Sequence, residues 1–304
     1  MKYKGIAIVI LSVSLAATAS AQGPIGGAGT PNFIAKFAGK SRFATIDFPS
    51  PGVTDTEAAA ITPSGVIAGR YVTPDGQHHG FILKNGKYTS FDVPGATFTD
   101  LAWINASGDI VGSYISGGVG HGYVVIGGKL TTIDFPKLGG TTVGFGISNS
   151  GDAVGVGFVP IDFNHGQGYL FRHGEFTLID FPGALATFPT MLIDPGRIVG
   201  AYFDSSTDHG FLLSNGQFST IDFPDSTLTW ITGINPKGDI VGFYYSKDGK
   251  QHGFVLRAGK FISIDIPGAI ATEANGLDPQ GDVVGRYVTP DGNTHGYFLA
   301  RDLD

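Results

Sequence analysis

The sequence predicts an all-β fold, a six-bladed β-propeller with four antiparallel strands in each blade. One pattern of 42 to 46 residues occurs six times along the chain, and a fixed period of this length is typical of propellers and solenoids. Within each copy, short stretches of aromatic and β-branched residues alternate with clusters of turn-forming residues. No stretch keeps the 3.6-residue period of an amphipathic helix.

Two short phrases mark every copy of the pattern or nearly every copy. The first resembles Ile-Asp-Phe-Pro, and the stretches that contain it begin at Phe43, Tyr88, Leu130, Phe176, Phe218 and Phe261. The second is His-Gly-Phe or His-Gly-Tyr, which only the third copy lacks. Glycine accounts for 48 of the 304 residues, roughly twice the usual share of about 7%. We assign this excess to the turns between closely spaced strands.

The fifth copy illustrates the four strands expected in each blade. They are Trp230–Asn235, Asp239–Tyr245, His252–Leu256 and Phe261–Ile266. Asn-Pro-Lys-Gly at 235–238 predicts a tight reversal between the first two, because Pro sets one φ and Gly adopts the left-handed conformation. A solenoid of parallel coils is the alternative fold, but parallel strands cannot be joined by such short reversals.

The order of the strands along the chain predicts how the ring closes. The repeats begin with an outermost strand, Phe43–Phe48, and end on a third strand, His295–Ala300. We therefore expect the N-terminal strand to complete the last blade and to cover an otherwise open sheet edge. The three inner strands of each blade then span Ala58–Leu83, Leu101–Ile126, Val143–Phe171, Thr190–Leu213, Trp230–Leu256 and Glu273–Leu299.

The N-terminal residues have the pattern of a secretory signal. Lys2 and Lys4 precede an apolar run that ends in Ala19-Ser20-Ala21, a sequence of the small-x-small type that signal peptidase cleaves. We divide the chain into a signal peptide at 1–21, a flexible leader at 22–42 and the propeller at 43–304. An N-terminal membrane anchor is the alternative, but it needs a longer apolar span of roughly 20 residues. A periplasmic or extracellular location is expected.

Composition excludes several classes of function. The chain has no cysteine, which rules out disulfides, thiol catalysis and Cys-ligated metal. Its net charge is -7, and an acidic protein is a poor partner for nucleic acid or anionic lipid. We expect a monomer that does not insert into membranes and whose partner is a glycan, a small polar ligand or another protein.

Residues that recur in every copy occupy the same surroundings six times, and we expect them to build blades. The recurring aspartates precede the prolines and are expected to accept hydrogen bonds from turn amides; they are Asp47, Asp92, Asp134, Asp180, Asp222 and Asp265. The recurring histidines open the third strand and are expected to bond between strands; they are His79, His121, His209, His252 and His295. Gln167 takes this place in the third copy, and Gln can hydrogen-bond but cannot titrate as His does.

These motifs resemble the bacterial HAF family of extracellular repeats, named for a His-Ala/Gly-Phe motif. The resemblance covers residues 43–302 and includes Gly238-Asp239-Ile240-Val241-Gly242 and the Ile-Asp-Phe-Pro-Gly phrase at 179–183. The chain departs from the pattern at Gln167, Val66 and Arg197. The resemblance implies an extracellular, propeller-like repeat protein and assigns no reaction.

Function is expected where the copies differ, beside the central channel. We align the first strands on Ile61, Ile104, Ile147, Ile193, Ile234 and Leu277, and the residues four places earlier are Glu57, Asp100, Val143, Pro189, Trp230 and Glu273. The channel mouth then has an acidic sector, joined by Asn275, and an apolar sector. The residues one place before these are five threonines and one phenylalanine, and we expect them to form a nearly complete ring of hydroxyl groups at the channel. They are Thr56, Thr99, Thr142, Phe188, Thr229 and Thr272.

Three functions are open for this mouth. We favour a secreted, non-catalytic binding or surface-interaction module. A carbohydrate or another small polar ligand at the mouth would use Trp230 as a stacking surface and Glu57, Asp100, Glu273 and Asn275 as polar contacts. A solvated channel without a ligand is the second. The third is a Ca²⁺-dependent, lactonase-like or lyase-like enzyme in which the same four polar side chains hold the metal. No catalytic residue and no cofactor is assigned in the favoured reading, since the motifs of common enzyme classes are missing from the sequence.

Overall fold

The computed structural model describes residues 43–136, 140–159, 162–193 and 196–301, without the side chains of 162–164. The expected signal peptide and leader lie outside the described residues. Within these ranges the fold is all-β, as the sequence predicts, and every regular element is a strand. A membrane-spanning helix was sought among the described residues and none was found.

The strands are numbered in chain order. The first eight are β1 (Phe43–Ile46), β2 (Asp55–Ile61), β3 (Ile67–Val72), β4 (His78–Lys84), β5 (Lys87–Phe91), β6 (Phe98–Ile104), β7 (Ile110–Ser116) and β8 (Val119–Ile126). The next eight are β9 (Lys129–Ile133), β10 (Thr142–Ile147), β11 (Ala153–Val159), β12 (Asp162–Arg172), β13 (Glu175–Ile179), β14 (Ala186–Ile193), β15 (Arg197–Phe203) and β16 (Asp208–Ser214). The last eight are β17 (Gln217–Ile221), β18 (Leu228–Ile234), β19 (Ile240–Tyr245), β20 (Gln251–Arg257), β21 (Lys260–Ile264), β22 (Ala271–Leu277), β23 (Val283–Val288) and β24 (Thr294–Leu299).

The strands pair as four-stranded antiparallel units of the propeller type, which we call blades. β6–β9, β10–β13 and β14–β17 form separate sheets. A 12-stranded sheet holds the remaining strands, which are β2–β5, β18–β21, and β22–β24 with β1. Only the single pairs Asp55 with Thr294 and Gln251 with Ala271 join these last units, in parallel. The solenoid alternative is wrong, because the ladders within each unit are antiparallel.

The N-terminal strand completes the blade formed by the C-terminal strands. β1 pairs antiparallel with β24, from Phe43 opposite Leu299 to Ile46 opposite Gly296. Ile46 is fully buried, so the pairing is secured by apolar packing as well as by the ladder. This confirms the closure expected from the order of the strands.

The strand bounds expected for the fifth copy agree with β18–β21 to within two residues at each end. Ala258 and Gly259 connect β20 to β21 with φ of 49° and 76°. Positive φ at both central residues defines the type I′ turn, which matches the twist of a two-stranded hairpin. His173 with Gly174 and Asn215 with Gly216 connect the corresponding strands of other blades in the same way.

The innermost strands contact one another in the order β2, β6, β10, β14, β18, β22 and back to β2. Each one contains a β-bulge, at Ala59, Ala102, Phe145, Thr190, Thr232 and Asn275 respectively. Side chains at three bulges donate hydrogen bonds to the next innermost strand. Thr190 bonds the Ile231 carbonyl at 2.9 Å, Thr232 bonds that of Ala274, and Asn275 bonds that of Ala58 at 3.2 Å. The last bond links the C-terminal and N-terminal ends of the ring.

Aromatic side chains fill the space between neighbouring blades. The phenylalanine of the Ile-Asp-Phe-Pro phrase stacks on a tyrosine of the next blade, as in Phe181 on Tyr202 with ring centroids 3.7 Å apart. In the β10–β13 blade Gly157 stands where the tyrosine would be. A side chain at Gly157 would meet the ring of Phe135 at 2.5 Å, so the glycine is needed to admit that ring.

Closure by β1 predicts a sharp difference between two truncations. A chain that starts at residue 41 should melt at the temperature of the full chain, because it keeps β1. A chain that starts at residue 51 should melt at a much lower temperature or fail to fold, because β24 becomes an open edge and the site of Ile46 is emptied. Thermal unfolding followed by circular dichroism measures both. Equal melting temperatures would contradict this role of β1.

Candidate functional site

A pocket opens at one end of the central channel and has a volume of about 130 Å³. All six bulge residues line it, and at these positions the copies carry Ala, Phe, Thr or Asn. Five sequence-predicted residues also meet here: Glu57, Asp100, Trp230, Glu273 and Asn275. The other lining residues are Arg70, Trp103, Phe243 and Arg286.

The alignment of one blade was wrong by one residue. The bulge of β14 lies at Thr190, and Leu192 pairs with Ile198 as Ile61 pairs with Ile67 in β2. Leu192, rather than Ile193, is therefore the equivalent position. Phe188 replaces Pro189 in the set that contains Glu57 and Trp230. Neither residue lines the pocket, so the predicted site residues are unaffected.

The expected ring of channel hydroxyls is also wrong. These threonines are buried, and each accepts a hydrogen bond from a backbone amide at the end of the preceding outer strand. The amides of Phe48, Val93, Phe135, Phe181, Phe223 and Ile266 bond Thr56, Thr99, Thr142, Thr187, Thr229 and Thr272 at 2.9–3.2 Å. Thr187, rather than Phe188, takes this position in β14. The ring tethers blades together and does not face the channel.

Two arginines neutralise the two glutamates of the acidic sector. Arg70 donates to Glu57 Oε2 from Nη2 at 2.8 Å and from Nε at 3.1 Å. Arg286 donates to Glu273 from Nε at 2.8 Å and from Nη2 at 2.5 Å. All four side chains are at most 17% exposed, so water screens these pairs weakly.

The pairs are coupled to each other across the ring closure. Arg286 Nε lies 3.7 Å from Glu57 Oε2, and Asn275 Nδ2 donates to Glu57 Oε1 at 3.1 Å. Burial alone would raise the pKa of Glu57, but Arg70 and Arg286 outweigh burial and hold this pKa below its ordinary value. Glu57 is therefore ionised at neutral pH.

Sequence reasoning missed both arginines, although a signal was present. Arg70 lies directly opposite Glu57 in the β2–β3 ladder, and Arg286 lies directly opposite Glu273 in the β22–β23 ladder. Both belong to the phrase Gly-Arg-Tyr-Val-Thr-Pro-Asp-Gly, at 69–76 and at 285–292. An acid and a base facing each other in the same two hairpins would have predicted the pairs.

Asp100 is the carboxylate of the sector without a hydrogen bond from the described residues. Its nearest cation is Arg70, whose Nε lies 4.0 Å from Oδ1. Burial raises the pKa of Asp100, against the lowering effect of Arg70. The Asp100 carboxylate is therefore an acceptor at the pocket wall that a ligand can satisfy.

Aromatic rings form the opposite wall. Trp230 and Phe243 lie face to face with centroids 6.1 Å apart and planes 7° apart. Trp230 Nε1 donates to Asp208 Oδ2 at 2.8 Å, across from the preceding blade, which holds the indole ring in place. Trp230 is only 3% exposed, so it forms a fixed wall and not the open stacking surface expected from the sequence.

Trp103 closes the floor of the pocket. It also lines a second pocket at the opposite end of the channel, so its indole separates the two. Gly233 and Gly276 make room for this ring: side chains there would meet its Cη2 at 3.2 Å and 3.4 Å. The first pocket is therefore a cup, open at one end.

The acidic sector does not fit the Ca²⁺ site of the enzyme hypothesis. Glu57 and Glu273 already share their carboxylate oxygens with guanidinium groups. Across the ranges that the structure describes, no three His, Asp or Glu side chains are grouped to hold a metal ion. Ca²⁺ prefers six to eight oxygen ligands free to surround it, which this arrangement does not offer.

The recurring histidines and aspartates are partners of one another. A histidine Nδ1 lies 2.6–2.9 Å from a carboxylate oxygen in the pairs His79–Asp92, His121–Asp134, His209–Asp222, His252–Asp265 and His295–Asp47. Each of these histidines thus bonds to the aspartate that follows the neighbouring outer strand. Asp180 belongs to the blade with Gln167 and accepts from Thr187 at 3.4 Å.

One of these pairs has the order of groups found in serine hydrolases. Ser246 Oγ lies 3.1 Å from His252 Nε2, and His252 Nδ1 lies 2.6 Å from Asp265. Asp248 and the carbonyl of Lys250, however, also lie within hydrogen-bond distance of the Ser246 hydroxyl and compete with the histidine for its single hydrogen. A nucleophile must pass that hydrogen to its base. The cluster is therefore a turn network.

The fold is similar to known propellers. A putative TolB from Agrobacterium tumefaciens superposes with a TM-score of 0.56 at 14% identity, over 82% of this chain and 91% of the other. The β-propeller domain of the Trilobed protease from Pyrococcus furiosus gives 0.55 at 13% identity, over 83% and 80%. A variant of the Aleuria aurantia lectin in complex with Fucα1-6GlcNAc gives 0.53 at 13% identity, over 82% and 93%.

At such low sequence identities, these superpositions show a shared β-propeller fold and do not show a shared function. No family model matches the sequence, and no curated protein does.

Breaking the Arg70–Glu57 ion pair should lower the free energy of unfolding by an amount that depends on pH. Arg70→Met removes the two hydrogen bonds from Arg70 to the buried Glu57 carboxylate and leaves it with Asn275 and the more distant Arg286. It should lower the free energy of unfolding at neutral pH by up to about 3–5 kcal/mol, the cost of breaking a buried ion pair. The lowered pKa of Glu57 stabilises the native protein above the ordinary value of 4.5, and this contribution is lost as the pH falls through the folded pKa. The difference between variant and wild type should therefore shrink as the pH falls below 4.5.

Chemical denaturation at neutral and acidic pH measures this difference. Arg70→Met with Glu57→Gln is the matched control and should recover much of the loss at neutral pH. A cost for Arg70→Met that does not change with pH would show that the side chain stabilises by packing alone.

Proposed function

We propose that the protein is a secreted, six-bladed β-propeller that acts as a non-catalytic binding module for a carbohydrate or another small polar ligand. The observation that carries the proposal is the cup at the channel mouth, where polar groups on one wall face aromatic rings on the other. The assignment of β22–β24 with β1 to one blade beside the other five units supports the proposed blade count.

Hydrogen-bonding groups at the wall support binding of a hydroxylated ligand. Asp100 offers carboxylate oxygens, and Arg286 has a guanidinium nitrogen, Nη1, that donates to none of the described residues. Asn275 uses its amide nitrogen on Glu57 and Ala58, while Oδ1 accepts from no described residue. Donors and acceptors held by buried ion pairs are preorganised and cost little to position.

The size of the cup limits the ligand. About 130 Å³ is below the roughly 300–1,000 Å³ usual for sites that enclose drug-sized molecules. It suits one small group, such as a single sugar residue. Its apolar face would lie against the wall lined by Phe145, Trp230 and Phe243, of which Phe145 is the partly exposed ring.

The comparisons are compatible with a binding role. The Aleuria aurantia lectin, a protein of similar fold, is in complex with Fucα1-6GlcNAc. Fold likeness alone does not transfer a ligand, and the proposal rests on the cup. The metal-dependent alternative has no comparable support, since Arg70 and Arg286 already donate hydrogen bonds to the carboxylates of Glu57 and Glu273.

We also propose that the protein is secreted and that its repeats are of the HAF type. The support is the N-terminal sequence and the repeated phrases of residues 43–302.

Filling the cup should abolish binding without unfolding the protein. Ala102 is a partly exposed bulge residue at the wall, so Ala102→Leu should reduce glycan binding at least tenfold. Ala106→Leu, at the exposed opposite mouth, is the matched control and should bind as wild type does. A glycan array followed by calorimetry measures both. Equal binding by the two variants would place the ligand elsewhere, and no binding by wild type would remove the carbohydrate proposal.

Export predicts a defined mature N-terminus. Expression of the full sequence in a Gram-negative bacterium should yield periplasmic or extracellular protein that begins at Gln22, as cleavage follows Ala21. N-terminal sequencing of the fractionated protein tests this. Recovery of uncleaved protein only from the cytoplasm would contradict secretion.

A further inference from the structure

The cup is electrostatically unbalanced, and the imbalance indicates the charge of its ligand. Arg70 and Arg286 are the cations at the wall, against the carboxylates of Glu57, Asp100 and Glu273. Asp55 lies within electrostatic reach of both arginines. The acids outnumber the bases in this group. Burial raises the pKa of Asp55 and of Asp100, and a bound cation would favour the ionised form of both carboxyl groups. The group therefore has a place for one more positive charge.

His78 does not correct the imbalance. Burial, assisted by the positive charge of Arg70, lowers the pKa of His78 to about 4. The imidazole is then neutral at neutral pH. Its ring packs against Phe98 with centroids 4.6 Å apart, in contact with the strand that carries Asp100.

Asp100 provides the position for the cation. The arginines bond Glu57 and Glu273 at 2.5–3.1 Å, whereas Arg70 is 4.0 Å from Asp100. Asp100 thus accepts no hydrogen bond from the described residues, although its side chain is only 25% exposed. A donor with positive charge satisfies such a group better than a neutral hydroxyl.

The aromatic wall also favours a cation. Trp103, Phe145, Trp230 and Phe243 line the same cup, and Phe145 is the partly exposed ring among them. An aromatic ring attracts an ammonium group that lies within about 6 Å of its face. Carboxylate on one side and rings on the other form a complementary environment for a protonated amine. The remaining acceptor and donor, Asn275 Oδ1 and Arg286 Nη1, suit hydroxyl groups.

We infer that the cup selects a protonated amino sugar, its ammonium group between Asp100 and the aromatic wall and its hydroxyl groups on Asn275 and Arg286. The inference rests on the proposed carbohydrate-binding function and deepens it. It distinguishes an amino sugar from neutral and N-acetylated sugars of the same shape, because only the free amine carries charge.

Calorimetry with four small probes tests the inference on the full propeller at neutral pH, where most of the amine is protonated. The probes are glucosamine, glucose, N-acetylglucosamine and choline. Glucosamine should bind roughly ten- to a hundredfold more tightly than glucose, the range expected for one hydrogen bond between charged groups. Binding of N-acetylglucosamine should be as weak as that of glucose or weaker.

Asp100→Asn should bring the affinities for glucosamine and glucose close together. The variant should fold, because it replaces a partly buried carboxylate that has no hydrogen bond by a neutral group of the same shape. Asp225→Asn removes the same charge at an exposed turn outside the cup, and it should keep the preference of the wild type.

Each outcome has a separate meaning. Equal affinity of wild type for glucose and glucosamine would overturn the inference and leave the proposed function standing. Choline bound as tightly as glucosamine would overturn the sugar part, since charge alone would then suffice. A preference that survives Asp100→Asn would overturn the role of Asp100. No binding of any sugar, here and on the glycan array, would remove the proposed function itself.

Discussion

The hydrogen bond between a buried threonine and the amide before each repeated proline is the constraint on which the other features depend. It occurs six times, at 2.9–3.2 Å, and it ties the end of an outer strand to the start of the next innermost strand. An amide buried without a partner would be costly, so the bond fixes the register of the innermost strand. The bulge that follows is fixed with it, and so is the choice of side chains that face the channel.

The repeated residues form the scaffold of the blades, and the side chains that vary between the copies lie at the channel. Phe181 stacks on Tyr202, Tyr202 on His209, and His209 is paired with Asp222, so each ring is held by a neighbour. The β10–β13 blade illustrates this, since Gly157 and Gln167 replace the tyrosine and the histidine in the same blade. At the bulges, by contrast, the six copies present four kinds of side chain, which are Ala, Phe, Thr and Asn.

Differences between blades create the asymmetry that a ligand needs. A ring of identical residues would present the same group from every side, and a small molecule could not be oriented in it. Here the ion-paired hairpins of β2–β3 and β22–β23 adjoin through the ring closure, which brings Arg286 within 3.7 Å of Glu57. Trp230 and Phe243 lie on another part of the rim, and Trp103 closes the floor. One polar wall, one apolar wall and one closed end define a direction of entry.

The sequence by itself determined the all-β fold, the strands to within two residues in the fifth copy, the closure by β1 and the five predicted residues of the cup. It did so because turn residues, strand periodicity and repetition are local properties that a chain displays without folding. Only the tertiary structure decided the one-residue shift at Phe188, the tethering role of the threonines, the pairing of Arg70 and Arg286 with the glutamates, and the plug formed by Trp103. These depend on bulges, on cross-strand register and on contacts between residues far apart in sequence, where a shift of a single residue reverses the direction of every side chain.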